Sequence, residues 1–308
     1  MFICRSDSDI VYEWFFGEKY IALLCSKGIV GQRRKKMEKQ TQKIVSLKIM
    51  SYNVLLDFNK EGREPDFTED LASSVRKTAP DVLGTQETTA EMHEKCLSQL
   101  QGYSCFTGEF YTEGNARGNY VYWKTDKFKA LEMGHRYMSD TPTVRSKYER
   151  SREYRGFNYL FMESVETGNR FLFINLHADY RADEDTRVMQ LRTVNAFLRQ
   201  KEWEDIPTIV VGDFNSTAEQ ASISAFLAEN CRMGMTSELA ETKGDVGSTL
   251  VGGGFTARIP YVFDYIFVTR DCIRTKYYSV VDNIKNGKYP SDHLPVIAEL
   301  DILEAAEH

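Results

Sequence analysis

The chain offers no long uninterrupted apolar run. Its most apolar early stretch, residues 10–30, is broken by Glu13, Glu18, Lys19 and Lys27, so no segment of ~18 uncharged residues is available to span a membrane. That stretch also lacks a basic leader and a small-residue cleavage site, which reads against a signal peptide. Cysteines are few: six in 308 residues (Cys4, Cys25, Cys96, Cys105, Cys231, Cys272), with no CxxC pair and no tight His/Cys cluster. Structural zinc and a disulfide framework are therefore disfavoured, and the thiols are expected to be reduced and mostly buried, as in a cytoplasmic protein. A basic excess is missing too, since 39 Lys+Arg against 45 Asp+Glu leave a net charge of −6. A sleeve that neutralises many phosphates needs concentrated positive surface, so only a local basic groove stays open. There is no internal repeat, no low-complexity segment and no proline-rich linker.

What the chain does have is a core. Hydrophobic residues make up 42% and aromatics 12% of it, which excludes a disordered or collagen-like chain. Residues 1–45 read as an N-terminal extension of unassigned role. Its charge run Arg33-Arg34-Lys35-Lys36-Met37-Glu38-Lys39 suits a solvated helix face. Residues 46–302 read as one catalytic-sized domain and 303–308 as a tail. Within the domain the pattern predicts strands over 47–53, 82–87, 120–124, 159–165, 171–177, 208–212, 262–268 and 296–300. Helices are predicted over 68–77, with Thr68 as N-cap, and over 89–100, 185–203 and 218–229. The intervening segments 109–119 and 139–155 are long and polar, the kind of loop that carries binding.

Strand after strand ends in a polar group that is costly to bury unpaired. Asn53 closes the first strand and Glu87 the second. His177 and Asp179 follow Asn175, Asp213 and Asn215 follow Gly212, Asp264 interrupts an apolar strand, and Asp292-His293 precede the last one. Taken singly, each has an ordinary structural explanation as a cap, a turn former or a satisfied core group. Together they suggest groups that meet. The chemistry they suit is phosphate-ester hydrolysis with a hard divalent ion. Glu87, Asn53 and Asp292 supply the carboxylate and amide oxygens that Mg²⁺ prefers, with Mn²⁺ as a substitute. The sparse histidines and distant cysteines argue against zinc. Asp213 is the candidate base for water, and His177, His293 and Asn215 are candidate donors to the phosphate oxygens. Asp264 is placed to pair with His293 and raise its pKa.

The blocks Ser51-Tyr52-Asn53-Val54-Leu55, Gln86-Glu87, Asn175-Leu176-His177-Ala178-Asp179, Gly212-Asp213-Phe214-Asn215-Ser216, Asp264-Tyr265-Ile266 and Ser291-Asp292-His293-Leu294-Pro295 resemble, in order, the signatures of the endonuclease/exonuclease/phosphatase superfamily. The resemblance runs from about Leu47 to Leu300. It implies the DNase-I-like α/β fold, a four-layered sandwich of two packed mixed sheets flanked by helices, with strand carboxyl ends lining one cleft. It also implies Glu87 as metal ligand beside Asn53, Asp213 as water-activating base, Asn215 and His177 as phosphate ligands, Asp292 assisting metal or nucleophile, and Asp264–His293 as a pair. Many relatives have Thr-His-Leu where this chain has Leu176-His177-Ala178, and a hydrophobic residue where it has Thr88, departures that bear on pocket shape. The segments 119–124 and 137–142 look like a bacterial subgroup of hydrolases, and 290–295 resembles the deadenylase branch. Arg155, just before the strand at 159–165, is either a phosphate contact or a surface arginine.

The expectation is a cytoplasmic, Mg²⁺-dependent phosphoesterase acting on a nucleotide, a short nucleic acid or a small phosphoester. Its rivals are an exonuclease or deadenylase-like RNA nuclease and a non-catalytic binding member of the fold.

Overall fold

The computed structural model describes residues 44–55, 67–97, 100–108, 117–252 and 254–303. The proposed extension, except its last two residues, lies outside them. All belong to the unit Gln42–His308. Along the chain run β1 (Val45–Asn53), α1 (Phe67–Thr78), β2 (Val82–Thr89), α2 (Ala90–Leu97), β3 (Tyr103–Thr107), β4 (Arg117–Lys124), β5 (Phe128–Tyr137), β6 (Gly156–Ser164) and β7 (Arg170–His177). Then come α3 (Glu184–Leu198), β8 (Thr208–Asp213), α4 (Ala221–Glu229), β9 (Met233–Met235), α5 (Thr236–Leu239), β10 (Thr242–Lys243), β11 (Leu250–Gly252), β12 (Ala257–Ile259), β13 (Asp264–Thr269), β14 (Ile273–Val280) and β15 (Val296–Ile302).

Two mixed sheets form the middle layers, one of seven strands in the order β10-β14-β15-β1-β2-β4-β3 and one of six in the order β5-β6-β7-β8-β13-β9. Their facing sides share one apolar core, with Ile49, Val82 and Leu300 from the first sheet against Phe173, Val211 and Ile266 from the second. The outer side of the first sheet carries Val75 of α1 and Met92 of α2 against Met50 and Leu83. The outer side of the second carries Leu191 and Val194 of α3 and Ile223 and Phe226 of α4 against Ile174 and Phe267. Helix, sheet, sheet, helix is the four-layered α/β sandwich expected from the sequence. None of the described helices is long and apolar enough to cross a membrane.

Several local expectations need correction. Helix α1 begins at Phe67, which puts Thr68 inside it rather than at its cap. Helix α3 ends at Leu198, not Trp203, and Asp183 caps its start by accepting from Thr186 N at 2.9 Å. Trp203 instead turns back to pack on Phe161 and Phe197. Helix α4 starts at Ala221 after Gln220, and Arg117–Asn119, read as loop, open β4. Asp264 is the first residue of β13 rather than an interior one. Strands β3, β5 and β14, and the short β9, β10, β11 and β12, have no counterpart among the expected strands. Of the six thiols three have described burial, and these are less buried than expected: Cys105 and Cys272 are half-buried and Cys231 is exposed. The core positions go to larger apolar side chains, so the small thiols are left at its margins.

Candidate active site

Pairing across the strands brings the polar strand ends together. His177 lies opposite Asp213 where β7 runs parallel to β8. Asp264 lies opposite Asp213 where β13 runs antiparallel to it. Like charges opposed in this way destabilise a sheet, and His293 answers them: its Nδ1 is 2.8 Å from Asp264 Oδ2 and its Nε2 is 3.7 Å from Asp213 Oδ2. The turn carrying His293 is held by Leu294 N donating to Thr249 O at 2.7 Å and Val251 N donating to Asp292 O at 2.7 Å. Ser291 Oγ donates to Asn53 O at 2.8 Å, tying the same turn to the end of β1.

Asp213 is the centre of the network. Its Oδ1 accepts from Asn215 N at 2.9 Å, and its Oδ2 accepts from Asn53 Nδ2 at 2.9 Å. His177 Nε2 stands 3.3 Å from the same Oδ2. Asn215 Nδ2 also donates to Ala178 O at 3.0 Å, closing the loops after β7 and β8 on each other. Asp213, Asp264 and His177 are almost wholly buried, while Glu87, Asn215 and Asp292 are half-buried at the open side. Glu87 and Asn215 both have left-handed backbone, with φ of 60° and 50°. Non-glycine residues in that region concentrate at functional sites.

The charge states follow from these surroundings. Burial works against a charged His293, but Asp264 and then Asp213 outweigh it and raise its pKa well above the usual value. Burial pushes Asp264 up to about 6, with the His293 charge opposing. Burial likewise opposes an ionised Asp213, yet His293, His177 and the Asn53 amide prevail and hold its carboxyl below the ordinary range. His177 goes the other way. Burial and the Arg155 guanidinium lower its pKa, so its ring is neutral at neutral pH.

Every candidate of the sequence reading is thus in or beside one pocket. Asn53, Glu87, Arg155, His177, Asp213, Asn215, Asp264 and His293 are joined by direct contacts, and Asp292 is attached through Ser291. Asn53 turns its amide nitrogen, not its oxygen, toward both Asp213 and Glu87, the latter at 3.5 Å, while its oxygen accepts from Leu55 N. Asn53 therefore orients carboxylates here. Asp179 also departs from the expected pattern. It accepts from Arg152 N, Glu153 N and Arg181 N, and so anchors two loops.

Two residues escaped the sequence reading. Arg117 Nη1 lies 2.9 Å from Glu87 Oε2, a pairing that no motif announces. Asn175, noted only within its block, crosses between the sheets. Its Nδ2 donates to Thr85 O and Tyr120 O, both at 2.9 Å, and its Oδ1 accepts from Gln86 Nε2 at 2.6 Å.

The donors suit a hard divalent cation, because Glu87 and Asp292 are partly exposed carboxylates and the described side chains gathered about Asp213 offer oxygen and imidazole but no thiol. Asp213, Asp264 and His293 also converge within 4.8 Å of one another, although His293 Nδ1 and Asp264 already bond each other.

Residues 50–293 match the model of the Endonuclease/Exonuclease/phosphatase family. A solved Bacteroides thetaiotaomicron protein of that family is 25% identical, with a TM-score of 0.73 over 84% of this chain and 99% of that one. A mannosyl-6-phosphatase from the same organism is 25% identical, with a TM-score of 0.69 over 83% and 99%. The CCR4-Not complex 3'-5'-exoribonuclease subunit Ccr4 of Debaryomyces hansenii is 22% identical over 75% of this chain and 35% of its own length. The chain spans less than half the length of the curated relatives it matches.

Proposed function

The chain belongs to the Endonuclease/Exonuclease/phosphatase family and is a hydrolase of it, and from that premise we propose a Mg²⁺-dependent phosphoesterase in which Asp213 activates the attacking water. The observation that carries this is the convergence on one buried carboxylate of an amide from β1, imidazoles from β7 and the 291–293 turn, and a backbone N–H from Asn215. Glu87 with Asp292 would hold the cation, and Asn53 would fix the direction of Glu87. When bound, the cation supplies positive charge opposite the phosphate oxygens. The remaining work falls to the chain itself. Asp213 is ionised at neutral pH and takes the proton of water. Charged His293, oriented by Asp264, and the amide of Asn215 donate to the oxygens on which charge develops. His177, neutral and fixed by Arg155, presents its Nε2–H to the same pocket.

The substrate class is a phosphoester of a nucleotide, a short nucleic acid or a small metabolite. The mannosyl-6-phosphatase likeness supports the small-phosphoester arm, and the exoribonuclease likeness supports the nucleic-acid arm. The test is hydrolysis of bis-p-nitrophenyl phosphate and p-nitrophenyl phosphate with Mg²⁺, with and without EDTA. Activity is expected only with the metal, and Asp213→Asn is expected to lose at least ~100-fold, the scale of a general base. Equal turnover by Asp213→Asn would remove it from that role. A panel of oligonucleotides, nucleotides and sugar phosphates then separates the arms.

A further inference from the structure

Resting on that metal-dependent reading, we propose that Arg117 competes with the divalent cation for Glu87, and that the guanidinium so displaced is the one the site offers to the substrate phosphate. The contact is specific. Arg117 Nη1 is 2.9 Å from Glu87 Oε2, with side chains 23% and 14% exposed, so water and salt screen it only in part. The fold builds this contact. Thr89 lies opposite Arg117 in the β2–β4 pairing, and a register shift between Thr85 and Thr88 falls on Gln86-Glu87. That shift, with Glu87 at a φ of 60°, delivers the carboxylate to the site from a strand whose regular alternation is interrupted there.

A carboxylate oxygen that ligates a dication cannot keep a full charge-assisted bond to a guanidinium. Two like charges would then crowd one acceptor. Arg117 and the cation are therefore in electrostatic competition for this carboxylate. A guanidinium is also the side chain best shaped to grip a phosphate through paired N–H groups. The pocket's charges point the same way. Among the described residues the site gathers four carboxylates (Glu87, Asp213, Asp264 and Asp292) and the positive charges of Arg117, Arg155 and His293. A dication turns that balance positive, and an incoming phosphate anion restores it. Arg155 is committed differently, since its Nη1 lies 2.9 Å from His177 Nδ1.

The test is calorimetric titration of the full chain with Mg²⁺, then of the Mg²⁺-saturated protein with inorganic phosphate. Arg117→Gln is expected to bind Mg²⁺ about 5- to 10-fold more tightly, the competing ion pair being gone, and phosphate about 10-fold more weakly. Arg117→Lys, which keeps the charge, should stay near wild type for Mg²⁺. A second variant covers the case in which Arg117→Gln does not fold. Metal-free Glu87→Gln should bind phosphate more tightly than metal-free wild type, because the Glu87 charge no longer competes for Arg117. Unchanged or weaker Mg²⁺ binding by folded Arg117→Gln, or unchanged phosphate binding, overturns the proposal while leaving the metal-dependent reading standing. A wild-type protein that takes up no Mg²⁺ overturns both.

Discussion

Arg155 Nη1 lies 2.9 Å from His177 Nδ1, and that single contact fixes the state of the ring. A guanidinium can only donate, so Nδ1 must accept and the proton sits on Nε2, 3.3 Å from Asp213 Oδ2. Burial first, and the Arg155 charge second, then hold the pKa of His177 below its ordinary 6.5. The histidine beside the catalytic carboxylate is a neutral donor at neutral pH, and a tautomer of one kind.

Nitrogen-15 correlation spectra of the ring should therefore show a protonated Nε2 and a bare Nδ1 at pH 7. Charging should begin only below pH 6.5. Because the folded pKa is depressed, protonation of this ring works against the native state as pH falls from 6.5 through the folded value. Arg155→Met should relax that depression in part. A His177 that titrates above 6.5 in the wild type would contradict the assignment.

His293 is the opposite case and gives an opposite pH dependence. Asp264 and Asp213 raise its pKa well above 6.5, so the charged ring is fully present below 6.5. Its contribution is lost as pH rises through the folded value. The alkaline limb of kcat against pH is therefore expected to report His293. Asp264→Asn removes the largest of the charges that raise it and should move that limb to lower pH by at least ~1 unit, besides lowering kcat. An alkaline limb at the same pH in Asp264→Asn would assign it to another group.

Much of the fold and nearly all of the pocket could be read from the sequence, and the exceptions have physical causes. The polar groups stood out because Asp213 and Asp264 each stand at the end of a mainly apolar stretch, 208–212 and 265–268, while Asn53 and Glu87 close strands that open on apolar residues. Strand β5 did not stand out, because its register shifts between Ala130 and Glu132 and it lies at a sheet edge, where Leu131 and Met133 are exposed. Strand β14 shifts between Thr275 and Tyr277. One extra residue in a strand reverses its alternation, so no single period describes either segment. Arg117 was hidden for another reason. Its partner Glu87 is 30 positions away, and only the β2–β4 pairing brings them together.

Asn175 shows how the pocket depends on a polar bridge through the core. Its side chain closes the gap between sheets by satisfying Thr85 O, Tyr120 O and Gln86 Nε2. Without it the Gln86 side chain would keep only the 3.2 Å bond from its Nε2 to Ser51 Oγ, its Oε1 having no hydrogen-bond partner among the described residues. Asn175→Leu keeps the volume and removes every partner at once. Each buried group left unsatisfied costs about 1–3 kcal/mol, so denaturant unfolding should show a loss of about 2–4 kcal/mol. Gln86 neighbours Glu87, so the variant should also weaken Mg²⁺ binding. Wild-type stability in Asn175→Leu would mean that the core rearranges to satisfy those groups without it.

Gly212 precedes the central carboxylate and carries a constraint that no other residue meets. Its φ is 153°, and a Cβ built there would run into Leu176 O of the neighbouring strand. The obstacle is backbone, so no side-chain rotation relieves it. Strand β7 or β8 would have to shift at the Leu176–Gly212 pair, one step before His177 faces Asp213. Gly212→Ala is therefore expected to destabilise the protein by about 3 kcal/mol or more, the range of changes that force buried backbone apart. Below its lowered melting temperature, the folded variant should still lose turnover, because the 3.3 Å separation of His177 Nε2 and Asp213 Oδ2 depends on that pairing. Folded Gly212→Ala with wild-type turnover would show that the Asp213 pocket tolerates a displaced strand.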